Sequence, residues 1–198
     1  MNLANKLTIF RIILVPILVI FAYLPIDGDV YGIAVPMIIM DVIFIIASVT
    51  DKLDGYIARS RNQITTFGKF LDPLADKILV LTAMIVLVEK LKLPAWIPVI
   101  VLAREFIVSG FRLVAVEKGG IVIAASIWGK LKTVTQMIAI IFAFIDIGSF
   151  FEFVSGNLTG IYLVINVISS VMMAISVVAT VLSGIDYLMK GKEIFKND

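Results

Sequence analysis

Four aspartates, Asp51, Asp54, Asp72 and Asp76, fall within the segment DKLDGYIARSRNQITTFGKFLDPLAD. The spacing of three puts Asp51 and Asp54 on one helix face, and the spacing of four does the same for Asp72 and Asp76. If the two helices are antiparallel neighbours, four carboxylates meet. Like charges so close in a low dielectric cannot all stay ionised without a cation. A site built only from carboxylate oxygens suits Mg²⁺ or Mn²⁺, and Mg²⁺ keeps waters and substrate phosphates in its shell. A phosphate or pyrophosphate substrate is the expected partner. The competing reading is two helix ends whose acids pair with Lys52, Arg59 and Lys77. Two acidic pairs in one hairpin favour a functional site, because acid clusters in membrane chains mark ion or substrate paths. Gly55 follows Asp54 inside a helical stretch, which suggests close approach of a ligand or of another helix.

A second group is basic. In AREFIVSGFR, Glu105, Ser109 and Arg112 share a face, and Arg104 lies about 80° from Arg112 around the helix. The segment GKLKTVTQ carries Lys130 and Lys132 to the same end. Arg104, Arg112, Lys130 and Lys132 can converge on a dianionic phosphate. The lysines are equally explained by the positive-inside rule and by anionic headgroups. Arg104 lies well inside an apolar run, where an unpaired guanidinium is costly. Glu105 is its candidate partner, although adjacent helical residues point about 100° apart. Asn5, Thr8 and Arg11 line the mouth of the same cavity or anchor the first helix at the interface. Asp41 is a candidate for pairing inside the bundle or at a dimer contact, and Asp186 and Tyr187 are read as interfacial.

The elements that must position these groups are membrane helices. The 198 residues are 61% hydrophobic and 16% charged, with a mean hydropathy of +1.08, which excludes an ordinary soluble domain. The absence of Cys and His excludes a disulfide framework, thiolate or imidazole ligands and an imidazole base. Runs of roughly 20 apolar residues place six spans at about 8–24, 33–57, 70–89, 95–116, 131–147 and 160–188 in one domain over 1–198. No cleavage site follows the first run, so it is expected to be a retained span. If the N-terminus is cytoplasmic, only Lys90 and Lys92 of the 17 Lys and Arg fall on the far side. Both termini and the aspartate hairpin are therefore expected at the cytoplasmic face of a cell membrane.

The pattern Asp51-x2-Asp54-Gly55-x2-Ala58-Arg59-x8-Gly68-x3-Asp72-x3-Asp76 resembles the signature of the CDP-alcohol phosphatidyltransferase family at every fixed position. The resemblance implies an all-α, six-helix membrane enzyme, commonly a homodimer, that moves a phosphatidyl group from CDP-diacylglycerol to an alcohol and releases CMP. It implies Asp51, Asp54, Asp72 and Asp76 as ligands of Mg²⁺ or Mn²⁺, two ions per site, with Asp76 also the general base. It implies Gly55, Ala58 and Gly68 as the wall against the CDP-lipid, together with Asp51, Asp54, Asp72, Arg59, Asn5 and Thr8. AREFIVSGFR, GKLKT and NLANKLTIFRIILVP resemble the branch whose acceptor is sn-glycerol 3-phosphate, except that Ala4 stands where that branch has proline. Other acceptors, such as inositol phosphate, serine or phosphatidylglycerol, are the nearer alternative. An intramembrane prenyltransferase or a cation transporter is more remote, and no nucleic-acid partner is expected.

Overall fold

The computed structural model describes the backbone over 3–60, 66–117 and 127–195, and side chains over 6–51, 71–112 and 127–189. Six long helices dominate it. They are α1 (Leu3–Tyr23), α2 (Val35–Ser60), α3 (Thr66–Glu89), α4 (Trp96–Glu117), α5 (Ile127–Ile145) and α6 (Gly160–Phe195). Their bounds match the six expected apolar runs to within a few residues, except that α6 continues to Phe195. Between α1 and α2, β1 (Asp29–Val30) pairs antiparallel with β2 (Ile33–Ala34). Tyr31 and Gly32 both have positive φ at 53° and 77°, as a two-residue hairpin turn requires.

The burial pattern is that of a protein in an apolar solvent. Ile13, Val49, Ile85, Val99, Phe106, Val134, Ile161 and Val178 are each more than half exposed. Meanwhile Thr8, Arg11, Ser48, Lys132, Gln136, Asn166, Ser176, Thr180 and Ser183 are buried. Polar groups turned inward and aliphatic groups outward is the arrangement lipid favours. Among the described residues, Lys6–Tyr23, Ile127–Ile145 and Gly160–Met189 are long and apolar enough to cross a membrane. The chain is therefore a mostly helical membrane protein.

α6 supplies the seam of the bundle. Asn166, Ser169, Met173, Ser176, Thr180, Ser183 and Tyr187 recur at alternating steps of three and four, and all are buried. The small members allow close approach to the buried face of α5, which includes Lys132, Thr135, Gln136, Ala139, Ile140, Ala143 and Phe144. The two middle hydroxyls are satisfied within the helix: Ser176 donates to Met173 O at 2.8 Å and Thr180 to Ser176 O at 2.6 Å.

Opposite the aspartates, a polar knot ties off the bundle. Asn166 donates to Asp146 at 2.8 Å and to Ser149 O at 2.8 Å, and accepts from Phe153 N at 2.9 Å. Lys92 donates to Ile147 O at 2.8 Å, while Glu152 accepts from Ser149 N at 2.6 Å. Burial pushes the Lys92 ammonium below the usual lysine range, opposed by the nearby Asp146 and Glu152 carboxylates. A Cβ at Gly148 would lie 2.9 Å from Asn166 Nδ2 and 3.0 Å from Leu158 Cδ1. The Asn166 amide cannot yield without breaking its bonds. Gly148→Ala is therefore expected to cost about 1–3 kcal/mol of stability, measured as a lower thermal midpoint in detergent.

Candidate active site

All six long helices contribute to one charged region toward the end of the bundle where α2 ends and α3 begins. α1 reaches the aspartates directly. Arg11, fully buried, pairs with Asp51 at 2.7 Å, and Thr8 Oγ1 donates to Asp72 Oδ1 at 2.5 Å. Thr8 and Arg11 are thus buried inside the bundle, at 1% and 0% exposure, and neither is among the residues that line the cavity described next. The side chains of Asn5, Asp54, Gly55, Ala58, Arg59 and Gly68 lie outside the described residues.

Asp76 lines a cavity of about 840 Å³ together with Lys77, Arg104, Glu105, Arg112, Lys130, Lys132 and Tyr187. All four basic residues singled out from sequence therefore share one space with one of the four aspartates. Asp51 and Asp72 are not among its lining residues, though Asp51 lies close enough to Asp76 for charge repulsion. The cavity draws on α3, α4, α5 and α6.

Glu105 is the centre of its electrostatics. Its Oε1 accepts from Lys132 Nζ at 2.5 Å and from Arg104 Nη1 at 2.9 Å, and Lys77 Nζ is 3.4 Å from Oε2. The neighbouring Arg104 thus does pair with Glu105, because its long side chain folds back across the roughly 100° between them. Its second terminal nitrogen donates to Ser183 at 2.5 Å. Lys77 also donates to Ser109 at 2.8 Å. The described ion pair of Lys77 is with Glu105 on α4, whereas Asp72 is held by Thr8 and Asp51 by Arg11.

Tyr187 corrects the sequence reading. Expected at the interface, it is 2% exposed and sits between two arginines. Its hydroxyl accepts from Arg112 Nη2 at 2.7 Å, and its ring centre is 5.5 Å from the Arg112 guanidinium carbon and 5.7 Å from that of Arg104. The available signal was periodicity, since Tyr187 is the last member of the buried α6 stripe. Asp41 is buried in α2, and its Oδ1 has no hydrogen-bond partner among the described residues.

A charged cavity inside a bundle with apolar faces defines the class, a helical membrane protein with a polar interior site. Residues 1–182 match the model of the CDP-alcohol phosphatidyltransferase family, and the chain belongs to that family of enzymes. It is 48% identical over 145 residues to the CDP-diacylglycerol--glycerol-3-phosphate 3-phosphatidyltransferase of Bacillus subtilis (strain 168), covering 70% of this chain and 74% of that one. A protein of the same name from Escherichia coli (strain K12) is 41% identical, again covering 70% and 74%. The "Probable phosphatidylglycerophosphate synthase" of Mycobacterium tuberculosis (strain CDC 1551 / Oshkosh) is 37% identical over 189 residues, covering 96% and 81%.

The family generally uses divalent metal ions. The donor chemistry fits, because Asp51, Asp72 and Asp76 offer hard carboxylate oxygens and sit on facing helix ends. With Asp54 outside the described side chains, the described residues alone do not form a three-acid group able to hold an ion. Arg11→Met removes the cation held against Asp51, which is about one-third exposed. A loss of about 1–3 kcal/mol is expected, read as a lower thermal midpoint of the chelator-treated protein.

Proposed function

We propose that the chain transfers the phosphatidyl group of CDP-diacylglycerol to sn-glycerol 3-phosphate, giving phosphatidylglycerophosphate and CMP. The supporting observation is that Asp76 shares one cavity with Arg104, Arg112, Lys130 and Lys132. A carboxylate beside several cations suits an acceptor that must lose a hydroxyl proton while its phosphate is held. The names of the relatives point the same way.

In this reading Asp51, Asp54, Asp72 and Asp76 would hold Mg²⁺ or Mn²⁺, two ions per site. Bound there, such ions would supply charge neutralisation of the diphosphate and stabilisation of the CMP leaving group. Gly55, Ala58, Arg59, Gly68, Asn5 and Thr8 line the CDP-lipid side. Arg112, Lys130, Lys132 and Arg104 hold the acceptor phosphate, with Tyr187 setting the Arg112 guanidinium by hydrogen bond and ring contact. Asp76 takes the proton of the acceptor hydroxyl as its oxygen attacks the phosphorus carrying diacylglycerol, and the bond from that phosphorus to the CMP oxygen breaks. Six spans in a single domain, cytoplasmic termini and site, and a homodimer belong to the same proposal. The lipid tails then stay in the bilayer while the soluble acceptor enters from the cytoplasm.

Purified protein with Mg²⁺ or Mn²⁺, CDP-diacylglycerol and glycerol 3-phosphate is expected to yield phosphatidylglycerophosphate and equimolar CMP. Consumption of serine or inositol phosphate in its place would move the acceptor assignment and leave the family. Asp76→Asn, folded by its melting curve, is expected to lower kcat at least about 100-fold; near-normal turnover would remove the base assignment. Arg112→Ala is expected to raise KM for glycerol 3-phosphate about tenfold and to leave KM for the CDP-lipid unchanged.

A further inference from the structure

One carboxylate gathers cations from three helices. Lys77 comes from α3, Arg104 from α4 and Lys132 from α5, and all lie within 3.4 Å of a Glu105 oxygen. Each lines the cavity that holds Asp76. The side chains of Lys132 and Arg104 are 9% and 12% exposed and that of Glu105 15%, so water does little to screen repulsion between the first two, and more for Lys77 at 33%. A simple helix-to-helix tie would need one cation, and a positive-inside signal would need no carboxylate. Five cations line this cavity against Asp76 and Glu105, and Glu105 contacts three of them.

We propose that Glu105 is a positioning residue for the acceptor phosphate. It holds Arg104, Lys132 and Lys77 at a fixed mutual spacing, so that the subsite is assembled before a dianionic phosphomonoester arrives. The inference rests on the proposed acceptor chemistry and adds to it a requirement for a negative charge on the protein side of a phosphate subsite. Removing that charge leaves three cations repelling one another, and the cost of regathering them falls on acceptor binding. The CDP-lipid and the bond-breaking step do not bear it. An amide at the same position keeps the shape but turns N–H donors toward cations. A shorter acid keeps the charge and can follow the flexible lysines.

The test compares steady-state kinetics of the full-length wild type, Glu105→Gln and Glu105→Asp in mixed micelles containing CDP-diacylglycerol. For Glu105→Gln, KM for glycerol 3-phosphate should rise about tenfold or more, with kcat and KM for CDP-diacylglycerol changing less than about threefold. For Glu105→Asp, KM for glycerol 3-phosphate should stay within about threefold of wild type. An unchanged acceptor KM in Glu105→Gln overturns the proposal. So does an equal rise in both KM values, or a Glu105→Asp variant as impaired as the Gln one. If Glu105→Gln does not fold, Glu105→Asp decides, since a tenfold rise there also overturns it. A wild type that releases no CMP with glycerol 3-phosphate ends the acceptor reading and this inference together. Failure of the inference alone is an active wild type with unaffected variants.

Discussion

A charge in the interior of a bundle solvated by hydrocarbon has no water to turn to, so it must find its partner inside the protein. That constraint organises the whole structure. Arg11 is fully buried, and its pairing with Asp51 ties α1 to the end of α2. Arg104 and Lys132 meet on Glu105, which ties α4 to α5. Arg104 and Arg112 also reach Ser183 and Tyr187 on α6. The contacts that make the interior tolerable are therefore the same contacts that assemble the cavity. Packing and site cannot be varied separately here.

The seam of α6 shows how one helix face serves both ends of this arrangement. Its small middle members, Ser176 and Thr180, spend their hydroxyls on their own backbone and present little bulk to α5. Its terminal members look outward to other elements. Asn166 closes the polar knot with Asp146, and Ser183 and Tyr187 receive the two arginines of α4. A stripe of larger apolar residues would still bury surface. It would hold α5 further away and leave the guanidiniums without acceptors, which in this interior costs more than the apolar contact contributes.

Much of this was legible in the amino-acid sequence. The apolar runs anticipate the six long helices because a sustained run of apolar residues is displayed directly by the sequence. The aspartate spacing is legible because three and four are helical periods, and AREFIVSGFR with GKLKT marked the basic residues that line the cavity. What escaped were partners far apart in the chain. Thr8 and Asp72 are 64 residues apart, Arg112 and Tyr187 are 75 apart, and Arg104 and Ser183 are 79 apart. No local period connects such pairs. Tyr187 is ambiguous in sequence for a related reason: an aromatic near a helix end is as consistent with a membrane interface as with a cavity wall, and only the neighbours decide. Sequence adjacency marks Glu105 as a partner for Arg104, but its contacts with Lys77 and Lys132 depend on how α3 and α5 dock against α4.

The most informative junction is between two consecutive residues of α3. Asp76 faces the cavity with Asp51 nearby, while Lys77, about 100° around the helix, turns to Glu105 and Ser109 on α4. One helix thus borders the acidic side and the basic side at the same depth. Under the proposed reaction, the proton acceptor and the phosphate-holding cations are then fixed to each other by the rigidity of a single backbone. That separation is set by helix geometry, so it survives small movements of α4 and α5. Rotation of α3 by one residue in one sense would turn Asp76 toward Glu105 and leave Ala75 beside Asp51, and in the other sense would turn Lys77 toward Asp51 and leave Ile78 beside Glu105. The hydrogen bond from Thr8 to Asp72 opposes such a rotation from the other side, and the Arg11–Asp51 pair holds α2 to α1, which gives α1 a role in the site.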